Sequence, residues 1–114
     1  MEKDKIALDK AKQVLNDFKR DNFLSDSFKV FNPEEVKKIT VFNFSQNIWK
    51  VVVSVPQEQF GGTGLFSIYI KDETMEPFMF HDGGAEGRVP FLNILSKNGK
   101  YVIGEEWKEK IDNN

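Results

Sequence analysis

The chain's one histidine, His81, sits in the stretch FHDGGAEGRVPF (residues 80–91), beside Asp82, Glu86 and Arg88. These residue types can do three kinds of chemistry. An imidazole can act as base for a serine, an imidazole with carboxylates can hold a metal, and a carboxylate pair can divide acid and base roles. The spacing favours none of them. No serine stands in a nucleophile-elbow motif, and the acids match neither a calcium-binding loop nor an HExxH helix. Carboxylates are also common throughout, with 18 Asp and Glu in 114 residues, so a pair here cannot be singled out. Gly83, Gly84 and Gly87 leave the backbone free to take tight turns, which suits an adaptable contact and holds catalytic groups poorly. The stretch therefore reads as a surface turn or a recognition loop, with Arg88 available to tie it back to a nearby acid. A hydrolase centred on His81 is the least favoured functional reading.

A second candidate, Gly61-Gly62-Thr63-Gly64, resembles a phosphate-cradling loop in composition only. That chemistry needs a strand before the glycines, a helix after them and usually a lysine. Here a strand pattern follows and no lysine does, so a hairpin connection is expected.

Charge supplies the main binding hypothesis. Residues 72–87 carry five acids (Asp72, Glu73, Glu76, Asp82, Glu86) and no Lys or Arg. If the short strand pattern inside that segment lies at a sheet edge, as Pro77 at its start hints, the loops on either side of it form one acidic rim. Such a rim speeds capture of a basic protein. Asp72, Glu73, Glu76, His81, Asp82, Glu86 and Arg88 are accordingly the candidate contact residues, and an ordinary solvated acidic rim is the alternative. The whole chain carries a net charge of −2, with 16 basic residues scattered among the acids, which argues against nucleic acid as a partner. With no cysteine there are no disulfides, thiolate metal sites or cysteine nucleophiles. No cofactor is expected. The cytoplasm is the expected compartment, since the N-terminus MEKDKIALDK is charged and lacks the apolar core of a signal peptide. No apolar run is long enough to span a bilayer.

These residues must be positioned by one small domain, residues 1–114. Ala7, Leu8, Ala11, Val14, Leu15 and Phe18 form one apolar stripe at helical spacing. The helix they predict fades near residues 22–25. Asn32-Pro33-Glu34-Glu35 is a helix start, with a capping residue, a proline at the first helical position and acids at the positive end of the dipole. The period then becomes two. Strands are expected over residues 39–44, 48–55 (ended by Pro56), 65–70 and 77–80. Residues 91–95 and 101–103 flank the hairpin signal Asn98-Gly99, with a short helix over 90–95 as the rival reading. A last helical turn over 105–111 places Trp107 and Ile111 on one face. Trp49, Val51 and Val53 should face the opening helix. The resulting class is α+β, an N-terminal amphipathic helix packed on an antiparallel sheet of four to six strands. The excess of phenylalanine, with 11 copies, also admits a small-ligand binder with an aromatic pocket between helix and sheet.

The helix, then Trp49-Lys50-Val51-Val52-Val53, Gly61-Gly62 and Ile68-Tyr69-Ile70, resembles in outline the small cystatin-like and NTF2-like α+β proteins. These include bacterial immunity proteins that neutralise toxins of polymorphic secretion systems. The likeness spans roughly residues 5–72. One departure is the turn Asp72-Glu73-Thr74-Met75-Glu76, where such proteins often carry a glycine. The resemblance implies a non-enzymatic inhibitor that blocks another protein, often a nuclease, with an acidic face.

The ligand inventory yields one prediction. Without cysteine and with a single histidine, protein purified in the absence of chelators should carry no stoichiometric transition metal. Elemental analysis checks this, and about one zinc or iron per chain would contradict it.

Overall fold

The computed structural model describes residues 2–39, 44–57, 62–83 and 90–107. Helix α1 (Glu2–Asp17) is followed by a single 3-10 turn (Ser25–Ser27), strand β1 (Lys29–Phe31) and helix α2 (Pro33–Ile39). Then come β2 (Ile48–Gln57), β3 (Gly62–Lys71), β4 (Pro77–Asp82), β5 (Phe91–Lys97) and β6 (Lys100–Glu106). The six strands form one antiparallel sheet in chain order, each paired to the next. The α+β arrangement expected from the hydrophobic periods is the one observed.

Burial explains why α1 lies where it does. Ala7, Ala11, Val14 and Leu15 are fully buried, and Phe18 nearly so. They meet Trp49, Val51, Val53 and Val55 of β2, Phe66, Ile68 and Ile70 of β3, and Phe80 of β4. Phe18 stands edge-on to Phe80, with ring centroids 5.2 Å apart. This is the favoured geometry for two aromatic quadrupoles. These side chains pack the space between helix and sheet over the described residues. A smaller core lies on the opposite face, where Val36 of α2 joins Ile48, Tyr69 and Met79, flanked by Phe31, Phe44, Phe78, Phe91 and Trp107.

The ends of α1 and α2 follow from local chemistry. The Arg20 amide bonds to the Leu15 carbonyl (2.9 Å) and the Lys19 amide to Asn16 (3.1 Å), with Lys19 left-handed at φ 59°. That pairing is a Schellman stop, reached here without the usual glycine. It places the end of α1 earlier than the fading expected near residues 22–25. In α2, Asn32 Oδ1 accepts from the Glu35 amide and Glu35 Oε1 from the Asn32 amide, both at 2.9 Å, forming a reciprocal capping box.

Several expectations are corrected. Ile39 ends α2 instead of opening a strand, because the capped helix runs on through Lys37 and Lys38. Residues 40–43 of that expected strand lie outside the described residues, and Phe44 is irregular. Pro56 does not end β2, which pairs on to Gln57↔Gly62. The Ser54 amide points away from β3, to Ser27 Oγ at 2.8 Å. Pro56, two residues on, shares that side, where β1 no longer reaches, so its missing N–H costs no ladder bond. Pro77 does not mark an edge either. β4 is interior, and Pro77 sits at a register irregularity where the ladder is interrupted anyway. Residues 91–97 are strand, not helix, and Asn98-Gly99 makes the hairpin turn with both residues at positive φ (55° and 80°). Glu105 and Glu106 belong to β6 and Trp107 is irregular, so the expected last helix does not begin there; residues 108–111 lie outside the described set. Strand β1, only three residues long, was not anticipated.

Trp49 joins the helix, the sheet and a polar anchor, since its buried ring donates from Nε1 to Asp72 Oδ1 at 2.7 Å. Trp49→Ala should lower stability by about 3–5 kcal/mol through cavity formation. Denaturant unfolding measures this, and a loss under about 1 kcal/mol would place the ring outside the core.

Candidate functional site

The described acids among those singled out by sequence, Asp72, Glu73, Glu76 and Asp82, do not form one rim. Asp72, Glu73 and Glu76 occupy the β3–β4 turn, at the end of the sheet where α1 begins. Asp82 ends β4 at the opposite end, roughly 20 Å away by strand rise. His81 and Asp82 are consecutive strand residues and point to opposite faces. Glu86 and Arg88, and with them the centre of the 80–91 loop, lie outside the described residues.

Three of the four described acids are engaged by α1 and the residue run that ends it. Lys3 Nζ lies 3.1 Å from Asp72 Oδ1, Lys10 Nζ 3.8 Å from Glu76 Oε1, and Arg20 Nε 3.3 Å from Asp82 Oδ2. Asp72 is the most tightly used. Hydrogen bonds from Trp49 and from Lys3 to its carboxylate hold its pKa below the ordinary value of 3.8, against a small opposing effect of burial. Its role is structural: it clips the β3–β4 turn to the core tryptophan and to the first turn of α1.

His81 lies on the second face of the sheet. Its cross-strand neighbours are Ser67 and Phe91, and its ring stacks on Phe91 at 4.3 Å. Ser67 beside the only histidine is the arrangement a hydrolase reading would want. Among the described residues, however, no hydrogen bond joins Ser67 to His81 and none runs from a carboxylate to the imidazole, whose ring contact is with Phe91. Among the described residues, no three His, Asp or Glu converge as metal ligands. The same face buries Tyr69, whose hydroxyl pKa desolvation pushes up to about 12, and half-buries Lys50, whose pKa desolvation lowers. Lys50 Nζ stands 5.3 Å from the Tyr69 ring centre.

A concave feature lies where α1 ends. Lys19, Arg20, Asp21, Asn22, Val55, Phe66 and Asp82 line a cleft of about 360 Å³. The Schellman stop turns residues 19–22 across the end of the sheet. Val55 and Phe66 form its apolar floor, both almost fully buried, and Asp82 stands in its wall paired with Arg20. The next residue, Gly83, donates from its amide to the Leu65 carbonyl at 2.7 Å. A Cβ on Gly83 would come within 2.5 Å of that oxygen, so the close approach of β4 to β3 beside the cleft requires glycine. Sequence reasoning named Asp82 but missed the other lining residues. The available signal was Lys-Arg-Asp-Asn, four consecutive polar residues directly after the last apolar position of the α1 stripe. Only the register of β2 and β3 shows which apolar residues lie beneath them.

Comparison of the chain with protein-family models, with curated proteins and with solved structures finds no match.

Asp72 predicts a pH dependence. Its pKa is depressed in the folded state, so its contribution to stability is complete above the ordinary value near 3.8 and is lost as pH falls through the lower folded value. Asp72→Asn should therefore be less stable than the parent at neutral pH, and the gap should close in strong acid. Denaturant midpoints measured across that range check it; a gap independent of pH would show that the Asp72 charge is not what matters.

Proposed function

We propose that the protein is a non-enzymatic binding module that holds another protein stoichiometrically, with the cleft at the end of α1 as its principal contact. The cleft itself carries this reading. Its volume of about 360 Å³ lies at the low end of the range for ligand-binding clefts. It combines an apolar floor with several convergent polar groups, and it is built on a helix stop and three sheet strands that hold its shape.

A catalytic reading has less support, because His81 and Ser67 are not bonded and lie on the other face of the sheet. Inhibition by occupancy, as in the immunity proteins that the strand pattern resembles, needs only a fixed complementary surface and no turnover. A cytoplasmic, protein-directed role of that kind is part of the proposal. No described helix is long and apolar enough to cross a membrane.

The test is a plug. Asn22 is exposed at the rim, so Asn22→Trp should fill the mouth of the cleft with little change in the melting midpoint. Partner capture from the source cells, with the complex mass measured in native conditions, should yield a one-to-one complex for the parent and a loss of at least about tenfold in affinity for Asn22→Trp. Equal retention by the two proteins would place the contact elsewhere.

A further inference from the structure

On the helix side of the sheet, Lys3, Lys10 and Arg20 each meet a carboxylate. The second face is different. Strand register places Lys29 of β1, Lys50 of β2 and Lys71 of β3 on it, opposite Val52, Tyr69 and Ile48 respectively. Each step along this series is a cross-strand diagonal, about 7–8 Å between neighbouring positions. Among the described residues, no carboxylate lies within ion-pair distance of these ammonium groups. Each stands over an aromatic ring instead, Lys29 5.2 Å from the centre of Phe31, Lys50 5.3 Å from Tyr69 and Lys71 5.7 Å from Phe78. Strand alternation puts no Asp or Glu of β1–β4 on this face, and His81 of β4 adds a fourth basic group. Helix α2 packs on the same face through Val36; its Glu34, Glu35, Lys37 and Lys38 are exposed and cancel in charge.

Lys50 is the anchor of this arrangement. It sits on an interior strand, half-buried, and desolvation lowers its pKa. Its compensation is the Tyr69 ring, a weaker partner than a carboxylate. The Tyr69 hydroxyl, with its pKa pushed up to about 12, stays neutral and supplies no counter-charge. We propose that this face receives an acidic segment of a protein partner in extended conformation, with carboxylates at alternate positions paired to Lys50 and Lys29. Side chains on one side of an extended strand repeat about every 6.6–6.8 Å, close to the diagonal step between the two lysines. Lys71 and His81 flank the pair and add to the positive field. A single-stranded nucleic acid fits less well. The lysine ammonium groups occupy the ring faces on which bases would stack, and the chain's net charge of −2 opposes a long polyanion. Val55, Phe66 and Asp82 of the cleft point to the other side of the sheet, so this inference stands apart from the cleft contact and goes beyond it.

The test is an NMR titration of the full chain with a capped peptide of alternating aspartate and glycine. The comparisons, at matched ionic strength, are the asparagine–glycine counterpart and a thymidine oligonucleotide of equal charge. The aspartate peptide should shift the Cε and Nζ signals of Lys29 and Lys50, with an affinity that falls as salt rises. Pairing with a carboxylate favours the charged amine, so the Lys50 titration midpoint should move up when the peptide is saturating; a lysine with a purely structural role would not move. Lys50→Met keeps the apolar stem and removes the charge. Combined with Lys29→Met it should weaken the peptide by about tenfold, the scale of two partly exposed ion pairs, while Lys50→Arg should retain it. If Lys50→Met does not fold, Lys29→Met alone supplies the comparison, with a loss of about threefold to fivefold expected. The inference is overturned if the aspartate peptide shifts neither lysine, if the asparagine peptide binds as well, if removing the lysine charges leaves the affinity unchanged, or if the shifts are confined to residues 19–22. Tighter binding of the oligonucleotide than of the aspartate peptide would overturn the acidic-segment assignment in favour of nucleic acid.

Discussion

Helix α1 and the residues just beyond it lie along the sheet with their cations opposite the acids of β4 and its preceding turn in matching order: Lys3 to Asp72, Lys10 to Glu76, Arg20 to Asp82. Each pair is at least partly exposed and contributes little by itself, at most about 1 kcal/mol. What they set is direction and register. The large stabilising contribution is the apolar stripe of α1 pressed on β2, β3 and β4, which is non-directional and would tolerate some sliding. The ion pairs and the Trp49–Asp72 hydrogen bond remove that freedom. Everything at the far end, including the cleft, depends on where this docking leaves Lys19 and Arg20.

Much of the fold was legible because it follows from period. The stripe from Ala7 to Phe18, the alternation from Trp49 to Val55 and the Asn98-Gly99 turn are local patterns with one good physical solution each. The failures share a different cause. Ile39 is β-branched and precedes Thr-Val-Phe, so its local preference pointed to strand, but a capping box seven residues earlier had already committed the segment to helix. Pro77 looked like an edge marker, yet edge position is a property of the whole sheet that no local pattern encodes. The same applies to the site. A run of acids without intervening bases looks like a free electrostatic surface until the fold supplies Lys3, Lys10 and Arg20 from 69, 66 and 62 residues away in the chain.

The turn from Asp72 to Glu76 shows how a local demand can be met in an unexpected way. Its backbone needs one left-handed residue, and Met75 takes that role at φ 56° where glycine would do so without strain. Met75 is also buried in the main core, so packing offsets a backbone cost on the order of 1 kcal/mol. The sheet edges are managed in a similar way. β1 is only three residues long. At β6, the outward amide of Tyr101 is taken by Asp17 Oδ2 at 2.9 Å, and a register shift interrupts the β5–β6 ladder. A short edge strand, a capped amide and a bulge all discourage pairing with another chain.

The functional account comes down to location. If the protein works by holding a partner at the end of α1, amide hydrogen exchange compared with and without the bound partner should show new protection across residues 19–22 and the adjoining ends of β2, β3 and β4. The β3–β4 turn, with Asp72 and Glu76 already paired to α1, should be unchanged. Protection confined to the turn around Glu73 and Glu76, with residues 19–22 exchanging as before, would contradict the account and restore the acidic turn as the contact surface.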